Sequence, residues 1–274
     1  MNLQSTVTLN NGVAMPIFGL GVFRASEGEE VENAILKAIE VGYIHIDTAA
    51  VYGNEKGVGK AVKMSGLARK DMFVTTKVWN SDQGYTTTLK AFDQSIDRLG
   101  MDYLDLYLIH WPKGPLSVET WKAMEEIYHS GRARAIGVSN FLIHHLEELL
   151  PHCHVKPTVN QIEFHPWLQQ PGLIKFCKDH DIQPEAWSPI MKGKVNEIPV
   201  IKALAAKYGK SPVQVTLRWE IQKGIVTIPK SVRAERISSN ADIFDFELTA
   251  EEMAMIDRLD KHVRIGADPD NFDF

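Results

Sequence analysis

Asp47, Tyr52, Lys77 and His110 place a carboxylate, a phenol, an ammonium and an imidazole at or just past the ends of three short apolar runs, residues 43–46, 73–76 and 104–109. Each run is too short and too rich in β-branched and aromatic residues for a helix, and reads as a strand. In a parallel barrel such strand ends share one mouth, so residues far apart in sequence converge on one reacting atom. A phenol ordinarily titrates near about 10, and a neighbouring cation lowers that by roughly 1 to 3 units, which would make Tyr52 a usable acid near neutrality. The set therefore points to carbonyl reduction. Hydride arriving at carbon builds negative charge on oxygen, and a donor held there stabilises the transition state more than the ground state. Lys77 would lower the phenol pKa, Asp47 would keep Lys77 charged and oriented, and His110 would bond the carbonyl oxygen or the phenol. Taken singly, each residue has an ordinary explanation: Asp47 as a loop cap, Tyr52 and His110 as satisfied core groups, Lys77 as a surface cation. Their joint placement at strand ends favours chemistry. A barrel lysine could also form a Schiff base with a carbonyl, a rival that Asp47 opposes by favouring the charged amine.

The elements that must hold these residues alternate. A hairpin is expected first, 7–9 with 13–15 around Asn10, Asn11 and Gly12, since Asn-Gly supplies the positive φ of a tight turn. Strands are then expected at 18–20, 43–46, 73–76, 104–109, 135–138, 158–161, 182–187 and 225–228, eight in all. Helices are expected near 29–41, 55–64, 87–99, 118–129, 143–150 and 172–179, and two, 199–207 and 212–222, precede the last strand. Ser211 with Pro212 is a good cap and first-turn pair, and Thr249 with Glu252 makes a capping box for a final helix. The rhythm is βαβ. It predicts an α/β protein, a (β/α)8 TIM barrel with the N-terminal β-hairpin closing its bottom and extra helices added. No Gly, Ser or Pro linker divides residues 1–274, which are expected to form a single domain. The tail from His262 to Phe274 has no periodic pattern and is placed to cover the mouth.

Composition narrows the partners. With 30 Lys plus Arg against 35 Asp plus Glu, the net charge of −5 offers no global attraction to nucleic acid or to an anionic membrane. Cys153 and Cys177 are too few for a disulfide scaffold, no basic-then-apolar leader opens the chain, and no uncharged apolar stretch spans a bilayer. A soluble cytoplasmic protein with a small-molecule partner is expected, and a monomer. Three tempting signals are set aside. Gly19-Leu20-Gly21 lacks the third glycine of a dinucleotide fingerprint. Residues 57–60 imitate a phosphate loop, but Asn54 and Ala61 stand where glycine and Ser or Thr belong. His152, Cys153 and His154 are consecutive and cannot easily face one ion, so no metal is expected.

The segment Asp47-Thr48-Ala49-Ala50-Val51-Tyr52-Gly53-Asn54-Glu55 carries a specific resemblance. With Thr76-Lys77-Val78-Trp79, His110-Trp111-Pro112, Gly137-Val138-Ser139-Asn140-Phe141 and Ile228-Pro229-Lys230-Ser231, the chain resembles the aldo-keto reductases nearly end to end. It is most similar to the bacterial branch that resembles diketogluconate reductases. The resemblance implies an NADPH-dependent oxidoreductase reducing small aldehydes, ketones or dicarbonyls to alcohols, with Tyr52 as acid and Asp47, Lys77 and His110 in support. It assigns Ser139, Asn140 and Gln161 to the nicotinamide carboxamide and the Trp187 face, beside Ser188, to stacking. Many relatives carry Tyr at position 187. It places the adenosine 2′-phosphate at Lys230, Ser231 and Arg236, with Asn240 near adenine. Ser239 stands where many relatives have Glu, and Arg233 replaces a more usual Thr and adds positive charge. Phe23, Ala50, Trp79 and Trp111 match pocket-lining positions, and the segment after Pro112 is shorter than in many relatives, which implies an open pocket. A cofactor-binding protein without catalysis is the other class the fold permits; the complete set of four speaks against it.

Overall fold

The computed structural model describes residues 1–274. The hairpin forms from β1 (Thr6–Thr8) and β2 (Ala14–Pro16), antiparallel with Val7 opposite Met15. Its ladder starts one residue farther from the turn than expected, because Leu9 and Val13 close a wider loop around Gly12, at φ +86°. Leu9 and Met15 pack against Phe73, Val159 and Val226 from the beginnings of three barrel strands, and Asn10 and Asn11 donate to the carbonyls of Pro157 and Arg134. The hairpin thus closes the end opposite the mouth, as expected.

Eight parallel strands follow: β3 (Leu20–Gly21), β4 (His45–Asp47), β5 (Phe73–Val78), β6 (Leu104–Ile109), β7 (Ala133–Ser139), β8 (Val159–Glu163), β9 (Gln183–Trp187) and β10 (Val226–Thr227). Bridges from Phe18 to Thr227 and from Gly21 to Lys230 join first strand to last and complete the ring. Close neighbours on either side, β4 and the seam, explain the two glycines. A Cβ on Gly19 would lie 2.7 Å from the His45 ring, and one on Gly21 would lie 3.0 Å from the Ile228 carbonyl.

Helices α1 (Glu29–Val41), α2 (Glu55–Met64), α3 (Tyr85–Leu99), α4 (Pro115–His129), α5 (Ile143–Leu149) and α6 (Pro171–Asp179) alternate with the strands. Next come α7 (Pro199–Tyr208) and α8 (Pro212–Gln222) before β10, then α9 (Ala234–Ala241) and α10 (Ala250–Asp257). The expected capping box of Thr249 with Glu252 is present, and the expected Ser211 cap, followed by Pro212, forms a second box with Gln214. The apolar faces of the helices bury Trp121, Trp219, Phe92 and their neighbours between the two layers. Gly57 and Gly59 serve close packing of α2 rather than a phosphate: Cβ atoms there would approach Val31 Cγ1 to 2.4 Å and the Leu99 carbonyl oxygen to 1.8 Å. No helix is long and apolar enough to cross a membrane.

Candidate active site

Inside the ring the strand register decides which side chains meet. Asp47 lies opposite Thr75, Ser139 opposite Gln161, and Gln161 opposite Glu185, which makes a polar layer just below the mouth. Lys77 is fully buried there. Its ammonium donates to Asp47 Oδ1 at 2.7 Å, Asp47 Oδ2 at 2.8 Å and the Thr48 carbonyl at 2.8 Å. Burial works against the Lys77 cation, but Asp47 and Tyr52 outweigh it and the pKa rises. With every donor engaged and no access to solvent, Lys77 offers charge rather than a nucleophilic lone pair.

Tyr52 ends a 3-10 turn, Ala50–Tyr52, that follows β4. The turn is tied down by Asn54, whose buried amide accepts from Thr48 Oγ1 at 2.7 Å and donates to the Val22 and Ala25 carbonyls at 3.0 Å. Lys77 Nζ lies 5.2 Å from the Tyr52 ring centroid. The expected depression of the phenol pKa does not appear. Burial, the largest influence, raises it, and the pull of Lys77 only offsets part of that. His110 sits 5.7 Å from the Tyr52 ring and 5.1 Å from Trp79, between centroids. Burial and then Lys77 push its pKa well below the ordinary value, so the imidazole is neutral and its buried Nδ1 has no partner.

Four of the expected cofactor residues, Ser139, Asn140, Gln161 and Trp187, form one connected rim. Ser139 Oγ donates to the Gln161 carbonyl at 2.9 Å, Asn140 Nδ2 donates to the His110 carbonyl at 2.9 Å, and Trp187 Nε1 donates to Asn140 Oδ1 at 2.8 Å. Asn140 and Ser188 both hold positive φ, 65° and 54°, which turns the chain sharply off the ends of β7 and β9. Lys230, Ser231 and Arg236 lie together before and on α9. Ser231 is buried and its hydroxyl accepts from the Arg233 amide at 3.1 Å, whereas Arg233 and Arg236 are exposed and Asn240 is buried one turn on.

Phe23 packs on Tyr52 with centroids 4.9 Å apart, and Ala50 opens the turn that carries Tyr52. Trp79 and Trp111 receive partners the sequence reading missed. Phe274 stacks on Trp79 at 5.7 Å and meets Trp111 edge-on at 5.2 Å, and Phe272 lies 5.0 Å from Trp111. The tail fills the side that the short segment after Pro112 was expected to leave open. It is anchored along its length, beginning at its end, where Asn80 Nδ2 donates to the Phe274 carbonyl at 3.2 Å. Buried Glu163 accepts from the amides of Ile265 and Gly266 at 2.6 and 3.1 Å, and Asp270 pairs with His144 at 2.9 Å and His145 at 3.3 Å. His144, His145 and Asp270 bring three donor atoms within 4.8 Å of one another, a group the sequence reading did not foresee. His145 Nδ1 accepts the Leu142 amide, which leaves the ring proton on Nε2 facing Asp270, so the group is a hydrogen-bonded latch. His152 and Cys153 end a short helix, and the amides of His154 and Val155 are capped by Glu125.

Two further buried groups escaped the sequence reading. Gln161 Nε2 donates to Asp47 Oδ2 at 2.8 Å and to Glu185 Oε2 at 2.9 Å, and Glu185 Oε1 lies 3.7 Å from His45 Nε2. Burial, then Asp47, pushes the Glu185 carboxyl up to about 8, and burial pushes His45 down to about 3, so both are neutral at pH 7.

A family model described as the aldo/keto reductase family matches residues 17–261. The glyoxal reductase of Bacillus subtilis (strain 168) is 55% identical over 273 residues, covering 100% of this chain and 99% of the relative. The methylglyoxal reductase of Escherichia coli (strain K12) is 47% identical over 270 residues, covering 98% of each. Among solved structures, the Bombyx mori aldo-keto reductase in complex with NADP superposes with a TM-score of 0.91 at 38% identity, covering 97% of this chain and 96% of that one.

Proposed function

The chain belongs to the aldo/keto reductase family and is an oxidoreductase, and from that premise we propose that it is a single barrel domain reducing small aldehydes, ketones and above all dicarbonyls to alcohols, with NADPH as donor and Tyr52 as acid. The observation that carries the reading is the Asp47–Lys77 pair buried beneath Tyr52 and His110 at the mouth. The likeness to a glyoxal reductase and a methylglyoxal reductase supports the substrate class.

The residues present fit the dinucleotide. Gln161 Oε1 takes no hydrogen bond from the chain, Trp187 presents a half-buried aromatic face, and Arg233 and Arg236 are exposed cations before and on α9, suited to a phosphate. When bound, NADPH supplies hydride to the carbonyl carbon. Tyr52 gives its proton to the carbonyl oxygen as charge builds there; its raised pKa keeps it protonated at neutral pH, and Lys77 lowers the cost of the tyrosinate left behind. Asp47 holds Lys77 in place through both oxygens. Neutral His110 can orient the carbonyl oxygen by donating a hydrogen bond. The test is oxidation of NADPH with a panel of glyoxal, methylglyoxal and simple aldehydes. Turnover is expected, and its absence with every member would overturn the reading, whereas borohydride trapping of substrate on Lys77 would favour an aldolase.

A further inference from the structure

Gln161 lies at the mouth with both amide hydrogens turned inward. One goes to Asp47 Oδ2 at 2.8 Å and the other to Glu185 Oε2 at 2.9 Å. The Asp47 carboxylate only accepts, and with the Glu185 proton on Oε1 its Oε2 only accepts as well, so this pair of neighbours admits one orientation of the amide, nitrogen inward and oxygen toward the opening. A single bond to Asp47 would leave the amide free to swing about it. Two bonds fix its plane. Glu185 is wholly buried, and its second oxygen has no partner. A buried carboxyl with an unmade bond is costly and calls for a reason. None of the hydrogen-bonded roles of Asp47, Tyr52, Lys77 and His110 uses it. A proton on Oε1, on the side facing His45, leaves Oε2 as the acceptor for Gln161.

We propose that Glu185 is a positioning residue for the nicotinamide ring, acting through Gln161 by fixing that amide so that its oxygen receives the N–H of the ring's carboxamide. The inference rests on the dinucleotide reading above and adds a residue to it. The carboxamide is the only polar handle on the nicotinamide, so the aim of one amide oxygen helps decide how the ring lies beside Tyr52. Asp47 is thereby linked to cofactor recognition as well as to Lys77, since its Oδ2 serves both.

The experiment measures dissociation constants by quenching of intrinsic tryptophan fluorescence, with NADPH and with its 3-acetylpyridine analogue, in which a methyl ketone replaces the carboxamide and no N–H remains. Glu185→Met should weaken NADPH by roughly 3- to 10-fold, the worth of about one net hydrogen bond. The analogue should bind parent and variant alike. Glu185→Gln, whose amide oxygen still accepts from Gln161, should restore NADPH binding to within about twofold of the parent. Equal weakening of both cofactors, or no weakening of either, would overturn the proposal. Should Glu185→Met fail to fold, Glu185→Asp, which withdraws the carboxyl by one methylene, is held to the same comparison. Failure of the underlying reading is separate: the parent itself would then bind neither cofactor.

Discussion

Tyr52 stays protonated because burial outweighs the cation below it, and in the proposed reading its proton moves only once charge develops on a substrate oxygen. Tyr52→Phe should therefore lower aldehyde turnover by at least ~100-fold while NADPH still binds, because one proton is lost and the cofactor rim is intact. Turnover within about threefold of the parent would remove Tyr52 as the acid. Lys77→Met deletes the charge that eases formation of the tyrosinate and should cost roughly 100-fold under single-turnover conditions, with Asp47→Asn milder since Lys77 keeps its charge. Parental rate and pH dependence in Lys77→Met would contradict this division of labour. Arg236→Ala should weaken NADPH by about 1.5 to 3 kcal/mol and leave NADH nearly unchanged, because only NADPH carries the 2′-phosphate; equal weakening in a fluorescence titration would rule the phosphate assignment out. Asp47, Tyr52, Lys77 and His110 were legible because polar side chains at or just past the ends of apolar runs stand out. Glu185 was not, since a lone carboxyl inside the expected strand 182–187 does not say which face it takes until the register shows Glu185 opposite Gln161. His45 was hidden likewise, two residues before Asp47 on the same inward face.

Elements were legible in proportion to their length and caps. Helices α1, α2 and α8 begin and end where apolar periodicity and flanking residues place them, and α3 and α4 begin two or three residues early, where Gly84 and Gly114 release the chain. The two-residue strands at the seam were not legible at their true bounds, because so short a ladder is set by ring closure and not by local propensity. The close approach of α2 to α3 was equally invisible, being written only in the absence of a side chain at Gly59. Gly59→Ala would drive a methyl group into the Leu99 carbonyl and should destabilise the fold by about 1 to 3 kcal/mol despite its better helix propensity. A urea midpoint equal to or above the parent's would show that α3 gives way freely.

Across the whole molecule, a polar layer sealed inside the barrel makes stability depend on pH in two opposing senses. His45, ordinarily at 6.5, titrates at about 3 in the fold, and His110 is lowered too; the unfolded chain binds more protons, so their contribution is full above 6.5 and is lost as pH falls toward 3. Glu185, ordinarily at 4.5, titrates at about 8, so its contribution is full below 4.5 and is lost as pH rises toward 8. Above pH 6.5 the histidines are neutral in both states and the carboxyl stands unopposed, joined by buried Glu220, which is raised as well. The urea midpoint should fall between about pH 6.5 and 8.5, and Glu185→Gln should flatten that fall. A parent midpoint that rises over this range, or an unchanged slope in the variant, would contradict it. The tail carries a different consequence for the molecule as a whole. Its anchors grow more exposed outward, from sealed Glu163, through the half-exposed latch at Asp270, to Phe274, which is 51% exposed although it stacks on Trp79 and its carbonyl accepts from Asn80. Amide hydrogen exchange should accordingly run inward from the end, with Ile265 and Gly266 exchanging last. A carbonyl compound small enough to pass the closed tail should meet the whole population of molecules, whereas a bulky ketone should meet only the fraction whose outer anchors have let go, its apparent affinity lowered by that fraction. A mouth built this way should sort substrates by how many anchors must be open, and equal apparent affinities for a small aldehyde and a bulky ketone would contradict it.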